Sequence, residues 1–302
     1  MAYHNRDSEI FRPIDNGFPR SWGQPDPHLV GEDANGLYYR SRIAPQLSQE
    51  VDDCLAGTAD FSDLSLDADQ SWNEGAWKEP HASLAAFLRF SRKFREEVVE
   101  LVDAFAEYNG TGDARHFIEE VGDVKWVVTA LASNSGIVVS DAIKSRLFEY
   151  VAGTRQFDEG HHLSYPQWHT FAGSLAVKQG PLVVGDIDNL IHHGFVPQPS
   201  PIMNIEADER LSPTGIFRDL LFYRYVLLAA EERYKEDGFH VAPVYPNQSE
   251  PGRPTADMYL QLAAMANFVG SSFAEAIGGN SRKMTERIAI NAIDKTDPNR
   301  QT

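Results

Sequence analysis

Two acidic pairs stand close together in this chain, Glu97-Val-Val-Glu100 and Glu120-Val-Gly-Asp123. Each pair has i,i+3 spacing, which puts both carboxylates on one face of a helix. Four carboxylates converging from two helices suit a cage for a hard cation that takes oxygen ligands, Mg²⁺ or alternatively Mn²⁺. A polyanionic substrate and a water nucleophile are the natural clients of such a cage. Glu96 and Glu119, beside the expected ligands Glu97, Glu100, Glu120 and Asp123, are spare carboxylates that could take a proton from that water. Lys125, Arg146, Lys283 and Arg287 are the basic residues best placed to meet an anion.

Other candidates carry less. The pairs His161-His162 and His192-His193 invite a metal reading. Adjacent residues cannot share one side of a helix or strand, so exposed loop histidines are the better expectation. Val184-Gly-Asp-Ile-Asp-Asn189 reads as a turn. Trp126, Phe87 and Tyr259 could stack on a base, but each falls at an apolar helix position and is expected in the core. No Gly-x-Ser-x-Gly, Walker lysine motif or His-Glu-x-x-His occurs. The absence of Glu-x-x-His argues against a di-iron bundle.

The elements that must hold the acids are helices. Leu84, Phe87, Leu88, Val98, Leu101, Val102 and Phe105 recur at helical spacing, predicting a helix over 82–107 with a break near Ser91 and an end at Asn109-Gly-Thr-Gly. A second is expected from Ala114 to Asn134, capped by Gly136, and a third from Asp141 to Val151 with Ser140 as N-cap. Further helices are expected at Pro213–Glu236, Thr255–Val269 and Phe273–Ala292, the last bent at Gly278-Gly279. Residues 1–81 are rich in Pro, Gly, Asp and aromatics and read as ordered loop, with one short helix at Gln46–Leu55. Residues 152–212 form a second loop-rich stretch, with extended pieces at Val183–Val184 and Ile202–Ile205. The tail from Asp294 reads as frayed.

Composition bounds the rest. At 302 residues, 42% hydrophobic and 24% charged, the chain is of ordinary globular type. A net charge of −17 disfavours a nucleic-acid polymer as partner, since phosphate backbones are bound through Lys and Arg. Cys54 is the only cysteine, which excludes an intrachain disulfide. The polar start from His4 to Glu9 and the lack of a long apolar run predict no signal peptide, no membrane partner and a cytoplasmic location.

The helical blocks also echo one another. Residues 123–143 lie over 257–277 without a gap, matching Asp123 to Asp257, Ala130 to Ala264, Ala132 to Ala266, Gly136 to Gly270, Ala142 to Ala276 and Ile143 to Ile277. The block from Phe117 to Ala132, with Glu97-xx-Glu100 and Glu120-xx-Asp123 separated by 19 residues, resembles the MazG-like all-α nucleoside triphosphate pyrophosphohydrolases, a superfamily that includes dimeric dUTPases. Asn280-Ser-Arg-Lys283, followed by Arg287, is similar to the family's later Asn-x-x-Lys element. The first copy departs from it, with Arg146 and Glu149 at the corresponding places.

The resemblance implies a mainly α helical bundle with two pseudo-repeats: 82–151 carrying the metal-binding acids, and 213–292 a degenerate copy. Residues 1–81, 152–212 and 293–302 lie outside the repeats. It also implies Mg²⁺-dependent cleavage of a nucleoside triphosphate to a monophosphate and pyrophosphate, with Glu97, Glu100, Glu120 and Asp123 as ligands and Glu119 or Glu96 as base. Lys125, Arg146, Asn280, Lys283 and Arg287 would be substrate contacts. The chain would work as a monomeric pseudo-dimer or a homodimer. A non-catalytic nucleotide-binding protein on the same bundle is the alternative.

Overall fold

The computed structural model describes residues 48–77, 84–134, 137–157, 167–195 and 252–296, the single residues 197 and 220, and four short strands between 14 and 39. The strands form two antiparallel hairpins: β1 (Ile14–Asp15) with β2 (Phe18–Pro19), and β3 (Leu29–Asp33) with β4 (Gly36–Tyr39). The remainder is helical. In order come α1 (Ser48–Leu55), a 3₁₀ turn (Phe61–Asp63), α2 (Leu66–Trp77), α3 (Leu84–Thr111), α4 (Arg115–Asn134) and α5 (Val139–Phe157). Then follow α6 (Gln167–Ala176), α7 (Val184–His192), α8 (Gly252–Phe268) and α9 (Phe273–Thr296).

The axis of the structure is α4. An amphipathic helix buries one stripe; α4 buries all but one residue from Phe117 to Asn134, the exception being Glu119. It can do so because α2, α3, α8 and α9 all pack against it. α3 meets it through Phe87, Phe90, Phe94, Val98, Leu101 and Ala104, spaced three or four apart and buried. α8 lies on α5 and α4. α3 runs unbroken through Ser91, which is buried, and ends at Gly112, where φ is +75° and the N–H reaches the Tyr108 carbonyl at 2.7 Å.

Tertiary contacts replace several expected local signals. Ser140 does not cap α5. Its Oγ accepts from the Leu182 N–H at 2.8 Å, while Val139 N–H, at the helix start, donates to Gln70 Oε1 at 2.9 Å. The Val184–Asn189 segment is helix α7 rather than a turn. Its Asp188 accepts from Phe273 N–H (2.7 Å) and Ala274 N–H (3.1 Å), supplying the first turn of α9 with its missing partners. Val183 does pair with Ser65 as an isolated bridge. The 1–81 stretch holds a helix that weak periodicity concealed, α2, whose Asp69, Gln70 and Asn73 are buried polar residues facing the bundle. α6 and α7 likewise occupy the stretch read as loop. α9 passes unbroken through Gly278-Gly279. Gly278 leaves room for the Phe61 ring, which an added Cβ would meet at 2.9 Å. Expectations for Gly136, Pro213–Glu236 (apart from Leu220), Ile202–Ile205, His161-His162 and the end of the tail lie outside the described residues.

One glycine sets how closely the bundle closes. A Cβ at Gly122 would stand 2.6 Å from the Ala276 carbonyl oxygen and 2.9 Å from Asn280 Cβ. The obstructing atom is backbone, so no rotamer change relieves it. Gly122→Ala gains about 1 kcal/mol of helix propensity, but overpacking costs typically 1–3 kcal/mol. The expected result is a net loss of about 1 kcal/mol in chemical denaturation, with α9 pushed away from α4.

Candidate metal centre

The site lies where α3, α4 and α9 meet. Glu97 comes from α3, Glu120 and Asp123 from α4, and one carboxylate oxygen of each lies within 4.8 Å of the others. All three side chains belong to buried residues, at 4%, 7% and 6% exposure. Three carboxylates this close and this dry repel one another and cost much of their hydration. Burial pushes the Glu120 carboxyl from 4.5 up to about 7, with the Asp123 and Glu97 charges adding to the rise. Glu97 is also raised, chiefly by burial, against the pull of the Lys93 ammonium.

Each carboxylate has a basic side chain beside it. Lys93 Nζ stands 2.5 Å from Glu97 Oε1. His116 Nε2 stands 3.4 Å from Glu120 Oε1 while its Nδ1 meets Glu107 at 2.9 Å. Lys283 donates to Asp123 Oδ2 and Asn280 Nδ2 donates to Asp123 Oδ1. Glu97 Oε2, Glu120 Oε2 and Asn280 Oδ1 are buried and find no hydrogen-bond partner among the described residues. Buried polar oxygens normally have partners. Three such oxygens around one cluster leave lone pairs that a cation could take. The donor set, carboxylate and amide oxygen with no sulfur or ligating imidazole, fits a hard divalent ion.

The other candidates separate. Glu100 is exposed and outside the triad, although its charge still acts on Glu97 and Glu120. Glu96 and Glu119 are exposed at the rim. Arg287 is exposed one turn beyond Lys283 along α9. Lys125 is not at the site: two residues after Asp123 it is turned about 200° round α4, and its ammonium is buried in an ion pair with Asp69 of α2. Arg146 is also committed elsewhere. It reaches Asp257 at 2.6 Å and Glu149 at 2.5 Å and donates to the Tyr150 hydroxyl. Phe87, Trp126 and Tyr259 are core residues, the last joined to Thr129 through its hydroxyl. His192 and His193 are exposed, His193 lying against the Phe171 ring.

Sequence reading overlooked Lys93 and His116. The signal was present: each lies four residues before a triad member on the same helix, the spacing at which helical side chains meet. Asp69 carried no such signal, because its partner lies on another element.

A scan of family models and searches of curated proteins and of solved structures find no match to this chain. The functional reading therefore stands on the residues themselves. Among the described residues no single helix is long and apolar enough to cross a membrane.

The pKa shifts predict a pH signature. A carboxyl raised in the folded state holds a proton that the unfolded chain releases. Its favourable contribution is complete below the unfolded pKa and is lost as pH rises through the folded one. For Glu120 that window runs from 4.5 to about 7. For Asp67, raised by burial and by Asp141, it runs from 3.8 to about 6. Thermal midpoints in chelator should fall across these windows. Glu120→Gln should remove the upper part of the fall, and saturating Mg²⁺ should oppose it. An unchanged slope in the variant would dissociate Glu120 from the effect.

Proposed function

We propose that this chain is a Mg²⁺-dependent nucleoside triphosphate pyrophosphohydrolase, of the MazG-like type, built as two repeats in one chain with a single working site. The observation that carries the reading is the buried Glu97–Glu120–Asp123 triad with two unpartnered carboxylate oxygens. A cation held there, Mg²⁺ or Mn²⁺, would neutralise a triphosphate and acidify a bound water. Glu97, Glu120 and Asp123 would hold it, with the Asn280 amide nitrogen donating to Asp123 and its amide oxygen buried without a partner among the described residues. Lys283, 29% exposed at its side chain, offers an ammonium on the open side for phosphate oxygens. Glu119, Glu96 and Glu100 remain at the rim as proton acceptors. Water adds to the α-phosphorus, the bond from that phosphorus to the bridging oxygen breaks, and a monophosphate and pyrophosphate leave.

The two-repeat reading is supported by a reciprocal grip. Asp123 of α4 is held by Asn280 and Lys283 of α9, while Asp257 of α8 is held by Arg146 of α5. Asp257 follows Asp123, and Asn280 follows Arg146, by the same interval (257 − 123 and 280 − 146, both 134). Each first helix thus hands its acid to the second helix of the other copy, as the two halves of a dimer would. Asp257 meets an enclosed guanidinium, whereas Asp123 meets an amide N–H and a part-exposed ammonium, so the half around Asp257 is the closed one.

The non-catalytic alternative has one observation in its favour: both oxygens of Asp123 are already engaged. The experiment is a screen of canonical and modified nucleoside triphosphates with Mg²⁺, reading pyrophosphate release, alongside Mg²⁺ titration of the protein alone. Cation binding with no turnover on any substrate selects the non-catalytic reading, and neither result from a folded chain sinks both.

A further inference from the structure

Lys93 occupies a position that neither a solvated surface lysine nor a permanent ion pair explains. Its Nζ lies 2.5 Å from Glu97 Oε1 and 4.0 Å from Glu96 Oε2. Glu97 is buried at the triad, whereas Glu96 and Lys93 are half-exposed, with side-chain exposures of 53% and 44%. The ammonium therefore reaches into the site from solvent along its own helix, and solvent lies on its other side. Lys283 does the same from α9, donating to Asp123 at 29% exposure. Two flexible, accessible ammonium groups on two different helices thus end on two members of one carboxylate triad.

Compare the buried pairs elsewhere in the fold. Lys125 with Asp69 and Arg146 with Asp257 have both partners enclosed, at side-chain exposures of 5% or less. Those cations are locked. Lys93 and Lys283 are not, and Glu97, which Lys93 meets, keeps one oxygen without a hydrogen-bond partner among the described residues. A divalent cation entering the triad brings two positive charges into the space next to Lys93. The ammonium must then leave Glu97, because like charges in a partly dry site repel strongly. Its flexible stem lets it move only a short way. The nearest new negative charge is the phosphate chain that the cation itself draws in.

We propose that Lys93 is used twice: it is the counter-ion of Glu97 while the triad is without metal, and it turns onto a phosphate oxygen when a divalent cation takes Glu97. Lys283 is its counterpart across the site, so the phosphate chain is held between ammonium groups from α3 and α9. The inference rests on the metal-dependent phosphate chemistry proposed above and adds a phosphate-binding residue and a charge exchange to it. A compensated triad also keeps three buried acids together before any cation arrives.

The test is calorimetric titration of the full chain and its Lys93→Met and Lys93→Arg variants, first with Mn²⁺ alone and then with inorganic pyrophosphate at saturating Mg²⁺. Losing a half-exposed ammonium that competes for Glu97 should tighten Mn²⁺ binding in Lys93→Met by about threefold. Losing a charge-assisted phosphate contact should weaken pyrophosphate binding by about tenfold or more, and Lys93→Arg should restore most of it. A purely supporting role for Lys93 moves both affinities the same way, and that outcome overturns the proposal. So does unchanged pyrophosphate affinity in Lys93→Met when the wild-type chain binds both ligands. Absence of Mn²⁺ binding by the wild-type chain overturns the metal site itself, and with it both readings.

Discussion

Replacing Glu120 with Gln and Asp123 with Asn together should abolish cation binding and pyrophosphate release while leaving the fold as stable as before, or more so. Ordinary core residues do not behave this way; removing their partners costs stability. Here the two carboxylates are buried within 4.8 Å of each other and of Glu97, and burial and mutual charge raise the Glu120 carboxyl to about 7. Gln and Asn keep the volume and remove the repulsion. Glu97 retains Lys93, and Lys283 has a path to solvent, so the double substitution leaves no charge stranded inside. The loss of chemistry should be at least about 10³-fold, since metal charge stabilisation contributes several kcal/mol. Thermal denaturation, Mn²⁺ titration and a pyrophosphate assay on one preparation decide it. Retained turnover would remove the triad from the mechanism; unfolding would make these acids structural.

The second large effect lies on the opposite face of α4. Lys125→Met should destabilise the chain by about 3–5 kcal/mol, the usual cost of breaking a buried ion pair on one side. Asp69 is fully buried, and Lys125 is the one cation found against it among the described residues. At roughly 2–4 °C per kcal/mol for a chain of this size class, the thermal midpoint should fall by on the order of 10 °C. The double variant Lys125→Met, Asp69→Leu should recover most of that loss, because apolar residues of similar volume replace buried pairs at little cost. Were Lys125 instead a phosphate contact, as its place beside Asp123 in the sequence suggested, the single variant would weaken substrate binding and leave the melting curve where it was.

These two residues show where local reading succeeds and stops. Glu120 and Asp123 share a face because three residues nearly complete a helical turn, and that relation needs no knowledge of the fold. The same arithmetic turns Lys125 to the far side, yet nothing local announces what waits there. Asp69 sits on α2, in a segment whose apolar pattern is too weak to predict a helix. Glu100 illustrates a finer limit. Its spacing from Glu97 is right, but each step of three falls about 60° short of a full turn. Measured from the buried stripe of Phe94, Val98 and Leu101, Glu97 is on the near edge and Glu100 beyond it, in solvent.

What the sequence by itself determined is the set of helices around the site, the pairing of acids along α3 and α4, and the interval that relates Asp123 to Asp257 and Arg146 to Asn280. Each of these depends on periodicity within one element or on the gap-free alignment of one stretch of the chain with another. Only the tertiary structure decided which acid meets which base. Asp123 meets Asn280 and Lys283 because Gly122 lets α9 approach, and Arg146 goes to Asp257 because α8 lies on α5. Charge pairing across a bundle depends on which helices touch and how closely. That is settled by the packing of apolar faces far apart in the chain, and no spacing within a single helix records it.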